Sequence, residues 1–230
     1  MKRYAIGDIH GCLKTFQAIL KQINYSKGDE LILLGDYVDR GPDTKGVFDF
    51  IFEMLEDGHN VVCWRGNHEQ ILLNAVTDSE IKKGWFRHGG VQTLMSFEAE
   101  NAENIPKKYL DFMHNLPHYH ESGDYILVHG GLNFKYMNPL EDEYGMMWER
   151  YWYEKVNYKW LGKRIIVHGH TPTAKDEIED MGKLVLHNQY INLDCGCYIS
   201  QKRGDMGFLV AFDLDTTKLH FLKCVDEVIF

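Results

Sequence analysis

The sequence predicts an α/β fold of two packed sheets flanked by helices. Three observations lead there. Apolar, strand-like runs recur and end abruptly in glycine or a polar residue: Tyr4-Ala5-Ile6 before Gly7, Leu31-Ile32-Leu33-Leu34 before Gly35, and Val61-Val62-Cys63-Trp64 before Arg65-Gly66. Segments with helical spacing separate these runs. The strand–loop–helix order therefore repeats three times, which gives a βαβαβ half-sheet with parallel strands.

The elements follow in chain order. Leu13, Phe16, Ile19, Leu20 and Ile23 share one face of a helix over 13–24. Ser26-Lys27-Gly28-Asp29 is a turn. Phe48, Ile51, Phe52 and Leu55 mark a second helix, closed by Asp57-Gly58. From about 71 to 117 the pattern is mostly helical, broken at Arg87-His88-Gly89-Gly90 and stopped by Leu116-Pro117. It reads as a helical cap or insertion near the site, within a single domain spanning 1–230. His118 and His120 alternate with Tyr119 on a strand. Tyr125-Ile126-Leu127-Val128 is a strand that delivers His129-Gly130-Gly131. Arg164-Ile165-Ile166-Val167 is another, delivering His168-Gly169-His170-Thr171-Pro172. The stretch 144–160 concentrates Tyr144, Trp148, Tyr151, Trp152, Tyr153, Tyr158 and Trp160, suited either to packing or to stacking on a substrate. Residues 184–230 read as short strands with turns, including Tyr190 to Leu193 and Phe208 to Phe212.

At 230 residues and 44% hydrophobic, the chain can bury a sizeable core. A net charge of -9 without a long basic run argues against nucleic acid as a partner. The chain begins with a strand rather than an apolar signal region, and no apolar run approaches a membrane span. A soluble, cytoplasmic protein with no membrane partner is expected. Five scattered cysteines, Cys12, Cys63, Cys195, Cys197 and Cys224, do not suggest a disulfide framework. Cys195-Gly196-Cys197 invites a metal or redox reading but has no second cysteine pair, so two small residues ending a buried strand are expected.

The chemistry lies at the strand ends. Asp8 with His10, then Asp36, Asn67, His129 and His170 each follow a strand-like run. Gly7 and Gly35 break their strands, so these side chains gather at the carboxyl edge of a sheet, where open α/β folds place ligands. The period of two in Asp8-Ile9-His10 aims carboxylate and imidazole to the same side. Imidazole, carboxylate and amide donors without a thiolate suit Mn²⁺, Fe, Zn²⁺ or Ni²⁺ better than a closed structural zinc site. Six such side chains exceed one open site and fit two metals sharing a carboxylate.

These residues stand in GDIHG, GDYVDRG, RGNHE, HGG and GHTP, in that order. The set resembles the motifs of the metallophosphoesterases, and GDYVDRG and RGNHE are similar to those of the phosphoprotein phosphatase branch. The likeness covers the whole chain and points to small bacterial and phage serine/threonine protein phosphatases. Symmetrical diadenosine tetraphosphatases share much of the same wording. The resemblance implies a four-layer αββα sandwich, with two mixed sheets flanked by helices and two divalent metal ions between them, Mn²⁺ foremost. It implies that Asp8 and His10 bind the first metal, that Asp36 bridges, and that Asn67, His129 and His170 bind the second. Pro172 takes the place where metallophosphoesterases outside this branch often carry a second histidine. His168 lies out of register and is expected to be structural.

The implied reaction is in-line attack of a metal-bridging hydroxide on phosphorus, with no phosphoenzyme. By the same resemblance His68 protonates the leaving oxygen, Asp39 fixes its tautomer, and Arg40 grips the phosphate. Arg150 resembles a second phosphate arginine; its ordinary alternative is a surface ion pair with a glutamate. Glu69 is expected to serve the start of its helix. His59, His88, His114, His118, His120, His187 and His220 lack a motif and are expected to be non-catalytic. The leading expectation is hydrolysis of phosphoserine and phosphothreonine in a phosphoprotein or phosphopeptide. The alternatives are a symmetrical diadenosine tetraphosphate hydrolase with the same metals, and a non-catalytic binding module, which would require a lost ligand. Glu141, Asp142, Glu143, Glu149 and Glu154 against Arg150 favour the peptide; Lys82, Lys83 and Arg87 weigh the other way.

Overall fold

The structure, a computed structural model, describes residues 1–199 and 205–228. Its first half runs β1 (Arg3–Ile6), α1 (Leu13–Gln22), β2 (Glu30–Leu33), α2 (Thr44–Glu56), β3 (Asn60–Cys63), α3 (Asn67–Ala75), α4 (Ser79–Trp85), α5 (Val91–Ser96) and α6 (Lys107–His114). The second half runs β4 (Tyr119–Ser122), β5 (Tyr125–Val128), α7 (Glu143–Trp148), α8 (Tyr158–Leu161), β6 (Ile165–His168), α9 (Lys175–Lys183), α10 (Val185–Asn188), β7 (Tyr190–Asn192), β8 (Asp194–Cys195), β9 (Phe208–Asp213) and β10 (Lys218–Lys223).

Two mixed sheets result. In the first, the order is β10-β9-β1-β2-β3, with β8 pairing β9. Strands β1, β2 and β3 are parallel, as the repeated strand–helix order requires. Strands β9 and β10 close the other edge as an antiparallel pair. The second sheet has the order β4-β5-β6-β7, with β4 antiparallel and the rest parallel.

Alternation along the strands builds the layers. Ile6, Leu31, Leu33 and Ala211 face the helices, where Phe16, Ile19, Phe48, Ile51, Leu72, Trp85 and Tyr109 complete one core. Ala5, Ile32, Val210 and Phe212 face the other way and meet Leu127, Val167 and Ile191 of the second sheet. Ile126, Val128 and Ile166 form the outer face of that sheet under Met146, Trp152 and Leu161. The helix–sheet–sheet–helix sandwich implied by the motifs is therefore present. Helices α3 to α6 bury Leu72, Leu94, Tyr109 and Met113 in the same core as α1 and α2.

Three local features differ from expectation. Helix α1 ends at Gln22, with Ile23 as its C-cap. Its N-cap, Cys12, does not cap the helix with its side chain. Instead Asp226, from the far end of the chain, accepts from the Lys14 and Thr15 N–H groups at 3.1 and 2.8 Å. The region expected to hold only strands contains α10, a single turn whose C-cap, Gln189, takes a left-handed φ of 60°. Helix α9, for which the sequence offered no reading, buries Ile178 and packs Met181 beside it against the core between the sheets. Among the described residues no helix is long and apolar enough to cross a membrane.

Candidate metal centre

The loops that follow β1, β2, β3, β5 and β6 meet between the sheets, and their backbones are strained. Among the described residues nine non-glycine positions have positive φ, and five are here: His10 (46°), Asp36 (53°), Asp39 (71°), Arg40 (71°) and His170 (72°). Such clustering marks sites where the surrounding fold holds side chains against local preference. Gly35 makes the turn into Asp36 with φ 100°, and a Cβ there would strike the backbone of Gly66.

All six expected ligands are buried. His10 donates from Nδ1 to the Val38 carbonyl at 2.7 Å, so its Nε2 presents a lone pair. That nitrogen lies 3.5 Å from Asp36 Oδ2. His129 donates from Nδ1 to the Leu34 carbonyl at 3.0 Å, and its Nε2 faces Asn67 Oδ1 at 3.0 Å and Asp36 Oδ1 at 3.3 Å. His170 turns Nδ1 to Asn67 Oδ1 at 2.7 Å, which leaves its buried Nε2 without a partner. Asp8 accepts from the His170 backbone N–H at 3.1 Å.

This donor set fits cations. In a neutral His129, a lone pair would point at two acceptor oxygens; only a second proton or a cation resolves that. Burial opposes the second proton, but Asp36 and Asp8 overcome it and raise the His129 pKa to about 9. His170 Nδ1 turns to the same Asn67 oxygen that His129 Nε2 faces. Burial and the nearby His129 lower the His170 pKa to about 2. Burial works against ionisation of Asp36 too, yet His129 and His68 hold its carboxyl well below the usual range. Among the described residues, two of the three side-chain groups with metal-binding spacing lie here, His10 with Asp36 and His68, and Asp36 with His129 and His170. Asp36 belongs to both, as a shared carboxylate would.

His68 stands beside this set. Its Nδ1 lies 2.6 Å from Asp39 Oδ2, and its Nε2 accepts from Arg40 Nη2 at 2.9 Å. The other Arg40 nitrogen, Nη1, donates to His10 Nε2 at 3.1 Å, and the guanidinium lies 4.3 Å from the Tyr198 ring centre. The Arg40 N–H donates to the Gly89 carbonyl at 3.2 Å, and Gly89 has φ 100°. The break at 87–90 thus docks on the second acidic loop. Among the described residues Arg150 makes no ion pair with a glutamate. It donates to the His170 carbonyl at 3.0 Å and to Thr171 Oγ1 at 3.1 Å, and so braces the last loop.

His168 is turned away. Its Nε2 pairs with the Tyr153 hydroxyl at 2.9 Å and its ring packs on Trp152, which gives these two residues of the aromatic stretch a structural role. The C-x-C cysteines do not converge: Cys195 joins the core between the sheets and Cys197 the core under the helices.

Three residues matter more than the sequence suggested. Glu69 is fully buried and accepts from Gly66 N (2.9 Å), Asp36 N (2.9 Å), Tyr37 N (2.8 Å) and Val38 N (3.2 Å). It starts α3 and also fastens the Asp36 loop to it. Burial and Asp36 raise its pKa to about 7. Asp194 is buried beside the centre, with Oδ2 unpartnered; after burial itself, its charge is the main cause raising the Asp8 pKa. His88 lines a cavity next to Arg40. The helix break at Arg87-His88-Gly89-Gly90 was the signal available for it.

Known proteins bear on this geometry. The symmetrical bis(5'-nucleosyl)-tetraphosphatase of Nitrosomonas europaea is 35% identical over 134 residues, covering 57% of this chain and 45% of that protein. This chain thus spans less than half the length of that relative. The asymmetrical bis(5'-nucleosyl)-tetraphosphatase PrpE of Bacillus cereus is 25% identical over 232 residues, covering 88% of each. A serine/threonine phosphatase from Saccharomyces cerevisiae, similar to human PP5, shares the fold with a TM-score of 0.66 at 14% identity, covering 99% of this chain and 81% of that one. Residues 1–202 match the calcineurin-like phosphoesterase family, and with its two-sheet sandwich and convergent His/Asp set this chain belongs to it.

Proposed function

We propose that the chain is a metal-dependent hydrolase of bis(5′-nucleosyl) tetraphosphates, the alternative that the motifs left open beside phosphoprotein. The observation that carries this reading is a cavity of about 360 Å³ beside Arg40, lined by Phe86, Arg87, His88, Gly89, Gln92 and Tyr198. A phosphomonoester needs cationic groups for one phosphate. Arg87 and His88 add donors beyond that first phosphate, and Phe86 and Tyr198 offer rings for a base. The tetraphosphatase relatives support the same substrate class.

Two of the acids that favoured a peptide, Glu141 and Asp142, are engaged elsewhere. Asp142 accepts from Gly145 N and Asn133 Nδ2 at 2.9 and 2.8 Å, and Glu141 from Asn138 Nδ2 at 3.3 Å. Lys82 and Lys83 pair with Glu103 and Glu80, which leaves Arg87 as the basic residue of that segment at the cavity.

In this reading Asp8, His10, Asp36, Asn67, His129 and His170 hold two divalent cations, Mn²⁺ ahead of Fe, Zn²⁺ or Ni²⁺. When bound, the pair supplies Lewis acidity toward phosphate oxygens and acidifies water. Arg40 orients the scissile phosphate, because a charged oxygen is a stronger acceptor than the imidazole nitrogens it now meets. His68, fixed by Asp39, carries the proton for the leaving oxygen. Arg150 keeps the His170 loop in place.

Side-by-side specificity constants for diadenosine tetraphosphate and a phosphoserine peptide, at one Mn²⁺ concentration, test the proposal. A preference of roughly tenfold or more for the dinucleotide, about 1.4 kcal/mol, is expected. A preference for the peptide would return the assignment to a protein phosphatase.

A further inference from the structure

Three cysteines from distant stretches meet beneath the metal centre. Cys12 opens α1, Cys197 follows β8, and Cys224 follows β10. Their sulfurs all lie within 4.8 Å of one another, and Cys12 Sγ and Cys224 Sγ are 3.9 Å apart. The three residues are 0%, 1% and 4% exposed. Thiolate–zinc bonds of about 2.3 Å put sulfurs roughly 3.8 Å apart around a tetrahedral ion and roughly 4.0 Å apart around a trigonal one. A disulfide requires about 2.05 Å. The 3.9 Å Cys12–Cys224 spacing, also that of an S–H···S hydrogen bond, matches two sulfurs sharing a metal, and the third sulfur lies within 4.8 Å of both.

The cluster is held by a built frame. The Val225 N–H donates to Thr15 Oγ1 at 2.9 Å, and Thr15 Oγ1 donates to Asp226 at 2.6 Å, which pins the tail that carries Cys224 to α1. Asp194 Oδ1 accepts from Gly196 N at 2.8 Å in the turn that swings Cys197 away from Cys195 and under the helices.

We infer that Cys12, Cys197 and Cys224 form a closed three-thiolate site for one thiophilic d¹⁰ cation, Zn²⁺ or Cu⁺. Thiolates select such ions, whereas the imidazole and carboxylate set above suits harder ones, so the two centres sort metals by softness. Binding exchanges three thiol protons, released to water, for one cation. The ion would staple the β1–α1 loop, the segment after β8 and the C-terminal tail together. Cys12 lies two residues after His10, and Cys197 precedes Tyr198, whose ring packs 4.9 Å from that of His10. The site therefore lies under the catalytic floor, and the inference does not depend on the substrate.

Cobalt reports on it selectively. The full chain, reduced and stripped of metal, is titrated with Co²⁺ while thiolate-to-cobalt charge-transfer absorption is followed. The other donor set contains no sulfur, so this band reads the cysteine cluster alone. One sulfur-bound Co²⁺ per chain is expected, displaced by Zn²⁺ or Cu⁺; the ion that displaces it at lower concentration is the one the site binds more tightly. The band should vanish in Cys197→Ser and in Cys224→Ser and persist in Cys195→Ser. Absence of the band in reduced, folded wild-type protein overturns the inference without recourse to any variant. So does a band of full intensity in Cys197→Ser, or a Cys12–Cys224 disulfide in protein purified without oxygen that gives no band after reduction.

Discussion

His68 Nδ1 and Asp39 Oδ2 stand 2.6 Å apart, with both side chains sealed from water. The second Asp39 oxygen accepts from Trp85 Nε1 and Thr93 Oγ1, each at 2.8 Å. The carboxylate is thus locked by the helical segment that follows α3, and it fixes the imidazole tautomer that aims Nε2 at the reaction space. This arrangement separates two roles for His68, as a proton donor or as a spacer.

Leaving-group dependence tells them apart. A serine alkoxide needs a proton to leave, whereas a nitrophenolate does not. His68→Asn should slow hydrolysis of a phosphoserine peptide by about 10²–10⁴-fold and of nitrophenyl phosphate far less. Equal losses in kcat/KM on the two substrates would assign His68 to positioning.

Asp36 touches both candidate metal groups, whereas His168 is spent on Tyr153 and the Gly169 carbonyl. Asp36→Asn should therefore lose most bound metal and activity together. His168→Asn should keep its metal while melting at lower temperature, because it disturbs a buried pair. Elemental analysis beside thermal unfolding checks both; metal loss in His168→Asn equal to that in Asp36→Asn would contradict the assignment.

Much of this centre was legible because each candidate ligand sits within four residues of the end of an apolar run. That signal is local, and so is the alternation that separates Ile6 from Ala5 into different cores. What escaped is held by long-range contacts. Trp85 and Thr93 meet Asp39 across 46 and 54 residues, and Asp226 caps α1 across 211. Cys12 and Cys224 are 212 residues apart, so spacing drew attention to Cys195-Gly196-Cys197 instead. The single turn α10 has too few residues for a periodicity to be read.

Glu69 carries a stability prediction. Its carboxylate is the acceptor for four backbone N–H groups, three of them in the Asp36–Val38 stretch. Glu69→Ala leaves these donors buried and unsatisfied, at a cost on the order of 3–5 kcal/mol. Glu69→Gln retains an oxygen and should lose less. Chemical denaturation with metal content measured in parallel checks this; a loss below about 1 kcal/mol in Glu69→Ala would mean that water replaces the carboxylate.

The sharpest test of substrate class lies in Arg87. It lines the cavity next to Arg40 and is not one of the six candidate metal ligands. On the proposed reading a substrate with a single phosphate would be gripped at Arg40 and have nothing to place beside Arg87. A polyphosphate chain extending from the same point meets the Arg87 guanidinium and the His88 ring. Arg87→Ala should therefore reduce kcat/KM for diadenosine tetraphosphate by about 10- to 100-fold, the range for losing a charge-assisted hydrogen bond. The loss should fall mainly on KM if the contact is equally strong before and during the reaction. Nitrophenyl phosphate hydrolysis should change far less, and Arg87→Lys should recover part of the loss by restoring charge without the planar fork. Equal effects of Arg87→Ala on the two substrates would show that the cavity is not where the polyphosphate lies.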